Sequence, residues 1–305
     1  MHGHSDMKAL RTAIPYIRAY AGHTFVIKLG GGLCEPGPVL DNVIEQIALL
    51  STLGIRIVVV HGGGEQLSAL ESRLGHQPRI VAGRRVTDDQ TLELAKMTFA
   101  GTINTNLIAA FRKFDVPAVG LTGVDGRLIT AARRPPQQVH DPSTGDTLTV
   151  DYGNVGDLTD VTPAILEQLL AQRNLPVIAS LAADGAGHVY NVNADTIASR
   201  VAIALRAVKY FLLTAVDGVL LNLNDPNSLQ TYLDVEQLDG LEQRGVISGG
   251  MLPKLAACKV ALRGGVPRVH IVNGTVHDAL LTEVFTNEGS GTLLVLKREN
   301  GKHAS

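Results

Sequence analysis

Tryptophan is absent from the 305 residues, and aromatic residues of all kinds make up only 4%. Cysteine occurs twice, as Cys34 and Cys258, which excludes a disulfide framework and leaves no Cys spacing of the metal-binding type. Neither sign of charge is in surplus: 27 Lys and Arg stand against 29 Asp and Glu, a net charge of −2. A protein that coats nucleic acid needs a clustered basic excess, so nucleic acid is not expected as a partner. Long uninterrupted apolar runs are missing too. The most apolar stretch, Val201 to Leu223, is broken by Arg206, Lys209 and Asp217, which argues against a membrane span. The N-terminal MHGHSDMKALRT lacks the apolar core of a secretory signal, so the chain reads as cytoplasmic. Several chemistry-bearing motifs are also absent: GxxxxGK[ST], GxGxxG, GxSxG, HExxH and CxxC.

What is present is a globular balance, 45% apolar and 18% charged, with glycine at 32 of 305 residues, above the usual share of about 7%. At about 150 residues per domain, the length suits one large or two modest domains. Short runs rich in β-branched residues recur at 24–29, 55–60, 117–121, 176–181, 209–214 and 268–272. Amphipathic helical stretches separate them at 39–53, 65–74, 163–173, 194–205 and 253–263. Strands alternating with helices predict crossover connections and a long, mainly parallel sheet covered on both faces, a three-layer αβα sandwich. Arg127–Ala132 and Asp146–Val150 flank a Pro-rich segment and a turn-like HDPSTGD, and read as hairpin strands at the rim. Before the first strand, Met7, Leu10, Ile14 and Ile17 form an apolar helical stripe, with Ser5 and Asp6 as caps and Pro15 expected to kink or end the helix. This helix could pack on its own core or serve as an arm against another subunit.

The glycines gather where strands should end. Lys28-Leu29-Gly30-Gly31-Gly32 closes the first strand, and His61-Gly62-Gly63-Gly64 closes the second. At the carboxyl ends of parallel strands, glycine lets backbone amides and helix N-termini approach an anion closely. One such run could be a mere tight turn; two on consecutive strands, one bearing a lysine, point to phosphate. A third cluster, Ser248 to Lys254, puts Lys254 in the first turn of a helix, where a cation opposes the helix dipole. Asp195 follows Asn191 and Asn193 at another helix start, either as a dipole partner or as a carboxylate that holds lysine ammonium groups.

KLGG at 28–31, HGGG at 61–64, GRRVTD at 83–88, NVNAD at 191–195, LTAVDGVL at 213–220 and GGMLPK at 249–254 resemble the amino acid kinase family. The match runs in order from residue 24 to about 296, and is nearest to members that phosphorylate N-acetyl-L-glutamate with ATP. The resemblance implies roles residue by residue. Lys28 would stabilise the transferring phosphoryl group, Lys254 would act on the nucleotide side, and Asp195 would orient both. Gly30 and Gly31 amides would hold phosphoryl oxygens, with Thr214, Asp217, Gly218, Gly250 and Met251 completing the nucleotide site. Gly63 and Gly64 would hold the reacting carboxylate, and Arg85 and Asn191 the rest of the acid. Mg²⁺ would ride on the ATP phosphates, with no dedicated metal ligands. Segments 15–22 and 277–292 resemble arginine-inhibited members, implying L-arginine at Tyr20, Lys209, Glu283 and Gly289 and a homodimer or hexamer joined through the N-terminal helix. The implied division is an arm at 1–22, an acid-binding lobe at 23–180 and a nucleotide and arginine lobe at 181–305. Gly32, Thr105 and Ala215 depart from the family pattern, in which Asn, Lys and Asp are common there. Two rivals remain: a non-catalytic arginine-sensing domain, and a kinase for a related acid such as an acylated aminoadipate.

Overall fold

The apolar runs become strands because their residues are buried on both faces, as crossover helices require. A computed structural model describes residues 3–140, 147–222, 224–247 and 249–298, with side chains from residue 11 onward, residue 140 excepted. Ser248 and the turn expected at 141–146 lie outside them. The central sheet has eight strands: β1 (Thr24–Leu29), β2 (Arg56–His61), β3 (Ala118–Thr122), β4 (Leu175–Ala179), β5 (Lys209–Thr214), β6 (Tyr232–Asp234), β7 (Arg268–Asn273) and β8 (Thr292–Val295). Their order is β6-β8-β7-β5-β1-β2-β4-β3. Six neighbours run parallel, whereas β8 is antiparallel to β7 and β6 is parallel to β8, so one edge of the sheet is reversed.

In the register of β1, Lys28 stands opposite Val60 and Leu212, and Phe25 stands opposite Lys209. Side chains alternate between faces along a strand. Val26, Val58, Val60, Tyr210 and Leu212 pack against α4 (Ala194–Ala204) and α5 (Met251–Arg263). Phe25, Ile27, Leu29, Val59 and Phe211 pack on the other side, against α2 (Pro38–Thr52) and α6 (Ala279–Phe285). Lys28 therefore belongs to the first face, and Lys209 and His270 to the second.

Several expectations need correction. Ile129–Arg133 pairs with Gly156–Val161 and Leu181–Ala183 in a separate sheet, while Thr147–Val150 pairs with Gln137–His140. The two rim strands thus belong to two hairpins, because each finds a nearer antiparallel partner than the other. The first helix, α1 (Gly3–Tyr20), runs through Pro15 and begins before Ser5 and Asp6, which are therefore not its caps. Ile14 on its expected stripe is exposed and Ile17 half-buried. The stretch Asp89–Arg112, not foreseen as helical, is continuous, with a π-helical turn at Met97–Ile103. The reversed β6 and β8 were also not foreseen, being only three and four residues long.

Buried Gln46 ties α2 to α6: its Oε1 accepts from the amides of Leu280 (2.9 Å) and Leu281 (3.2 Å), which have no partner inside their own helix. Gln46→Ala strands both amides away from water. It is expected to cost about 1–3 kcal/mol, read as a lowered urea midpoint with an unchanged slope; an unchanged midpoint would show that α6 is held without Gln46.

Candidate active site

Lys28 and Asp195 meet at the carboxyl end of β1. Lys28 is 6% exposed and Asp195 4%, and the ammonium lies 2.8 Å from Asp195 Oδ1. The contact is a charge pair rather than an aligned hydrogen bond, since Oδ1 accepts none among the described residues. Asp195 sits in the first turn of α4, whose N-cap Asn193 accepts from Thr196 N at 3.0 Å. With the cap already supplied, the carboxylate is free to face the sheet. A buried pair of this kind adds little net stability, because desolvation offsets the attraction. Its position between two glycine turns gives it another use.

The first turn, Gly31–Cys34, is a 3₁₀ segment whose leading amides have no partner within it. Gly30 departs from expectation: its N–H is given to the Leu213 carbonyl at 2.9 Å and is unavailable to phosphate. Gly31 instead has its carbonyl held by Gln66 Nε2 at 2.8 Å, a cross-link between the two glycine turns. In the second turn, Gly63 is the N-cap of α3 (Gly64–Arg73). A Cβ at Gly63 would lie 2.3 Å from Ile103 Cδ1 and 2.8 Å from Phe99 Cδ1, so only glycine fits there.

Arg85 folds back over the start of α3. Its guanidinium pairs with Glu71 and Ser68 Oγ and donates to the Gly64 carbonyl at 2.8 Å. Glu71 is fully buried and also accepts from Thr91 Oγ1 at 2.9 Å, so it holds Arg85 against the second glycine turn. Asn191, half-buried, donates from Nδ2 to Thr87 Oγ1 at 3.2 Å, which brings it beside the strand pair carrying Arg85. Glu71 carried no sequence signal, because it acts through Arg85 and Thr91, which are distant in the chain, whereas Thr87 stands inside the GRRVTD motif without a role of its own having been assigned to it.

Of the expected nucleotide residues, Thr214, Asp217 and Gly218 lie at the end of β5, and Gly250, Met251 and Lys254 at the start of α5. Thr214 Oγ1 closes a turn with Val216, and Asn273 Nδ2 donates to Asp217 at 2.7 Å. Gly218 has φ 146°, and a Cβ there would lie 2.4 Å from Thr292 Oγ1. Gly250 caps α5, and Met251 is its first residue. Lys254, half-buried in the first turn, donates to the Gly250 carbonyl at 3.3 Å. Asp195 thus pairs with Lys28 and not, in this structure, with Lys254.

On the opposite face, Tyr20, Lys209, Glu283 and Gly289 also come together. Lys209 Nζ lies 4.9 Å from the Tyr20 ring centre and 3.3 Å from His270 Nε2. His270 Nδ1 lies 2.6 Å from Glu283 Oε1, while Oε2 accepts from the amides of Ser290 (2.6 Å) and Gly291 (3.1 Å). Burial alone would raise the Glu283 pKa, but His270 and these amides outweigh it and hold the carboxylate ionised. Burial and then Arg268 bring the Lys209 pKa down to about 8, against the pull of Glu283. Gly289 (φ 66°) lets Glu283 approach: a Cβ there would lie 2.8 Å from Oε2. His270, which joins Lys209 to Glu283, was missed, although a histidine between Val269 and Ile271 in an apolar strand was a visible signal.

Three comparisons bear on the chain as a whole. An acetylglutamate kinase from Myxococcus xanthus is 47% identical over 294 residues, 96% of this chain and 95% of that protein. Crystal structures of N-acetylglutamate synthase from Neisseria gonorrhoeae superpose on the fold. One is complexed with coenzyme A and N-acetyl-glutamate (TM-score 0.79, 30% identity, 96% of this chain). The other is complexed with coenzyme A and L-arginine (TM-score 0.77, 29% identity, 95% of this chain). The chain spans 64% and 65% of those two longer chains. A sequence model of the amino acid kinase family matches residues 23–273, and with the near full-length relative it establishes that the chain belongs to that family.

Proposed function

We propose that this chain transfers the γ-phosphoryl group of ATP to the γ-carboxylate of N-acetyl-L-glutamate, forming N-acetyl-L-glutamyl 5-phosphate in arginine biosynthesis. The observation that carries the reading is the buried Lys28–Asp195 pair between two glycine turns, in a chain 47% identical to an acetylglutamate kinase. The acceptor carboxylate is ionised at neutral pH, its ordinary pKa being about 4.3, so no general base is needed. The obstacle is repulsion between carboxylate and phosphate, and the remedy is positioning and positive potential. Asp195 holds the Lys28 ammonium at the strand end, where it faces the transferring group. Gly31 supplies an amide to the phosphoryl oxygens, and Gly63 and Gly64 at the start of α3 supply theirs to the acceptor. Arg85, in the lobe at 23–180, and Asn191, at the start of the lobe at 181–305, bind the remainder of the acid. Thr214, Asp217, Gly218, Gly250 and Met251 line the nucleotide side in the lobe at 181–305, where Lys254 swings from Gly250 to the phosphates. The donors around Lys28 are cationic or amide, which fits Mg²⁺ arriving on the nucleotide and neutralising its phosphates there.

L-arginine fits the second cluster, where His270 joins ionised Glu283 to Lys209 and Lys209 lies over the Tyr20 ring, and the synthase structure with L-arginine shares this fold. The helix α1 reaches this cluster through Tyr20, and Tyr16 donates to Asn287 beyond α6. This supports α1 as the arm that joins dimers into a hexamer.

Three outcomes test the reading. In a hydroxamate-trapping assay with ATP and N-acetyl-L-glutamate, Lys28→Ala and Lys254→Ala each lose about 100- to 1,000-fold in kcat; turnover equal to wild type removes the lysine concerned from the chemistry, and no turnover by wild type sinks the kinase. L-arginine inhibits wild type, and Glu283→Ala abolishes the inhibition while leaving uninhibited turnover in place; equal inhibition of both would disconnect the cluster from arginine. Light scattering shows a hexamer falling to dimers when residues 1–20 are deleted, and an unchanged mass refutes the arm.

A further inference from the structure

His61 is fully buried at the last position of β2, and the chemistry above does not use its side chain. Its Nδ1 lies 2.8 Å from the Gly62 carbonyl oxygen, and its Nε2 lies 3.1 Å from Asn104 Nδ2. A carbonyl only accepts, so Nδ1 carries the proton; an amide NH₂ only donates, so Nε2 is bare. The Asn104 amide cannot be turned around, because Nδ2 also donates to the Val177 carbonyl at 3.0 Å and reversal would set oxygen against oxygen. The ring is thus a single neutral tautomer. Burial agrees, pushing its pKa down to about 4 against the smaller opposing pull of the Gly62 carbonyl.

This locked ring acts on the peptide between Gly62 and Gly63. That peptide is planar and trans, so its C=O and N–H point in opposite directions. The alternation along β2 puts His61 on the face of Val59, with Phe99 and Ile103 packed there. Holding the Gly62 carbonyl toward that face turns the Gly63 N–H away from it, toward the face that carries Lys28. The Gly63 N–H has no backbone partner among the described residues. Without the imidazole, a peptide flanked by two glycines has little to oppose its rotation. We propose that His61 is a positioning residue that aims the Gly63 amide at the acceptor carboxylate, and that Asn104 fixes the tautomer it needs.

The inference rests on the reading of Gly63 as an acceptor-side donor, and its test separates the two. With ATP and N-acetyl-L-glutamate, His61→Leu raises KM for the acid at least about tenfold, the loss of one aimed hydrogen bond to an ion, and leaves KM for ATP unchanged. His61→Asn, whose Nδ2 replaces Nδ1 on the same Cγ, restores most of the loss; His61→Gln, whose amide falls where Nε2 was, does not. A wild-type KM for the acid in His61→Leu, or equal defects in the Leu and Asn variants, overturns the proposal, and an unchanged KM for ATP shows that the variants fold. A second readout needs no turnover. In ¹⁵N NMR the imidazole signal missing from His61→Asn is expected to be a neutral Nδ1–H tautomer that does not titrate through neutral pH, and Asn104→Leu is expected to relax it. An Nε2–H tautomer, or a ring titrating near its ordinary value of about 6.5, overturns the proposal. If wild type shows the expected tautomer but does not phosphorylate the acid, the functional reading fails and the device on Gly62 stands.

Discussion

The parallel register of β1 between β2 and β5 is the constraint on which both sites depend. It sets Lys28 level with Val60 and Leu212, near the ends where the glycine turns begin, and Phe25 level with Lys209 near the opposite ends. Because side chains alternate, a shift of one residue would bury Lys28 under α2 and expose Phe25 to the face of α4. The apolar residues that fill the two faces resist such a shift. The ion pair with Asp195 is then a consequence of the core, since α4 can pack only where its carboxylate meets the lysine. The Lys209–His270–Glu283 group answers to the same register from the other face.

The two sites handle charge differently. At the strand ends one buried cation is balanced by one carboxylate, and the further positive potential comes from backbone amides and a helix start. Such amides carry no net charge and cost little to present, which is how a chain of net charge −2 can hold anions. On the other face the charges are compensated internally, with Glu283 kept ionised by His270 and two amides.

Much of this was legible in advance where chemistry repeats locally. The limits of β1 and β5 match the apolar runs 24–29 and 209–214, and α4 begins at the expected Ala194. Lys28 and Asp195 were singled out from their neighbours, and the structure brings them into contact. What was misread shares one cause. The rim hairpins, the reversed β6 and β8 and the partners of Arg85 are decided by which distant segment lies nearest. Gly30 looked like a free amide, but the Leu213 carbonyl on a neighbouring strand takes it. Lys254 stands apart from that cause: expected beside Asp195, it makes a local contact with the Gly250 carbonyl at the start of its own helix.

By itself the sequence determined the period of each segment, the glycine turns after the strands and the residue types able to face anions, because these depend on neighbours within a few positions. Only the tertiary structure decided which amides stay free, that Glu71 holds Arg85, that His270 joins Lys209 to Glu283, and that Asn104 locks His61. Each of those contacts joins segments held side by side by the sheet and its covering helices, and a hydrogen bond forms only where that packing brings donor and acceptor within about 3 Å.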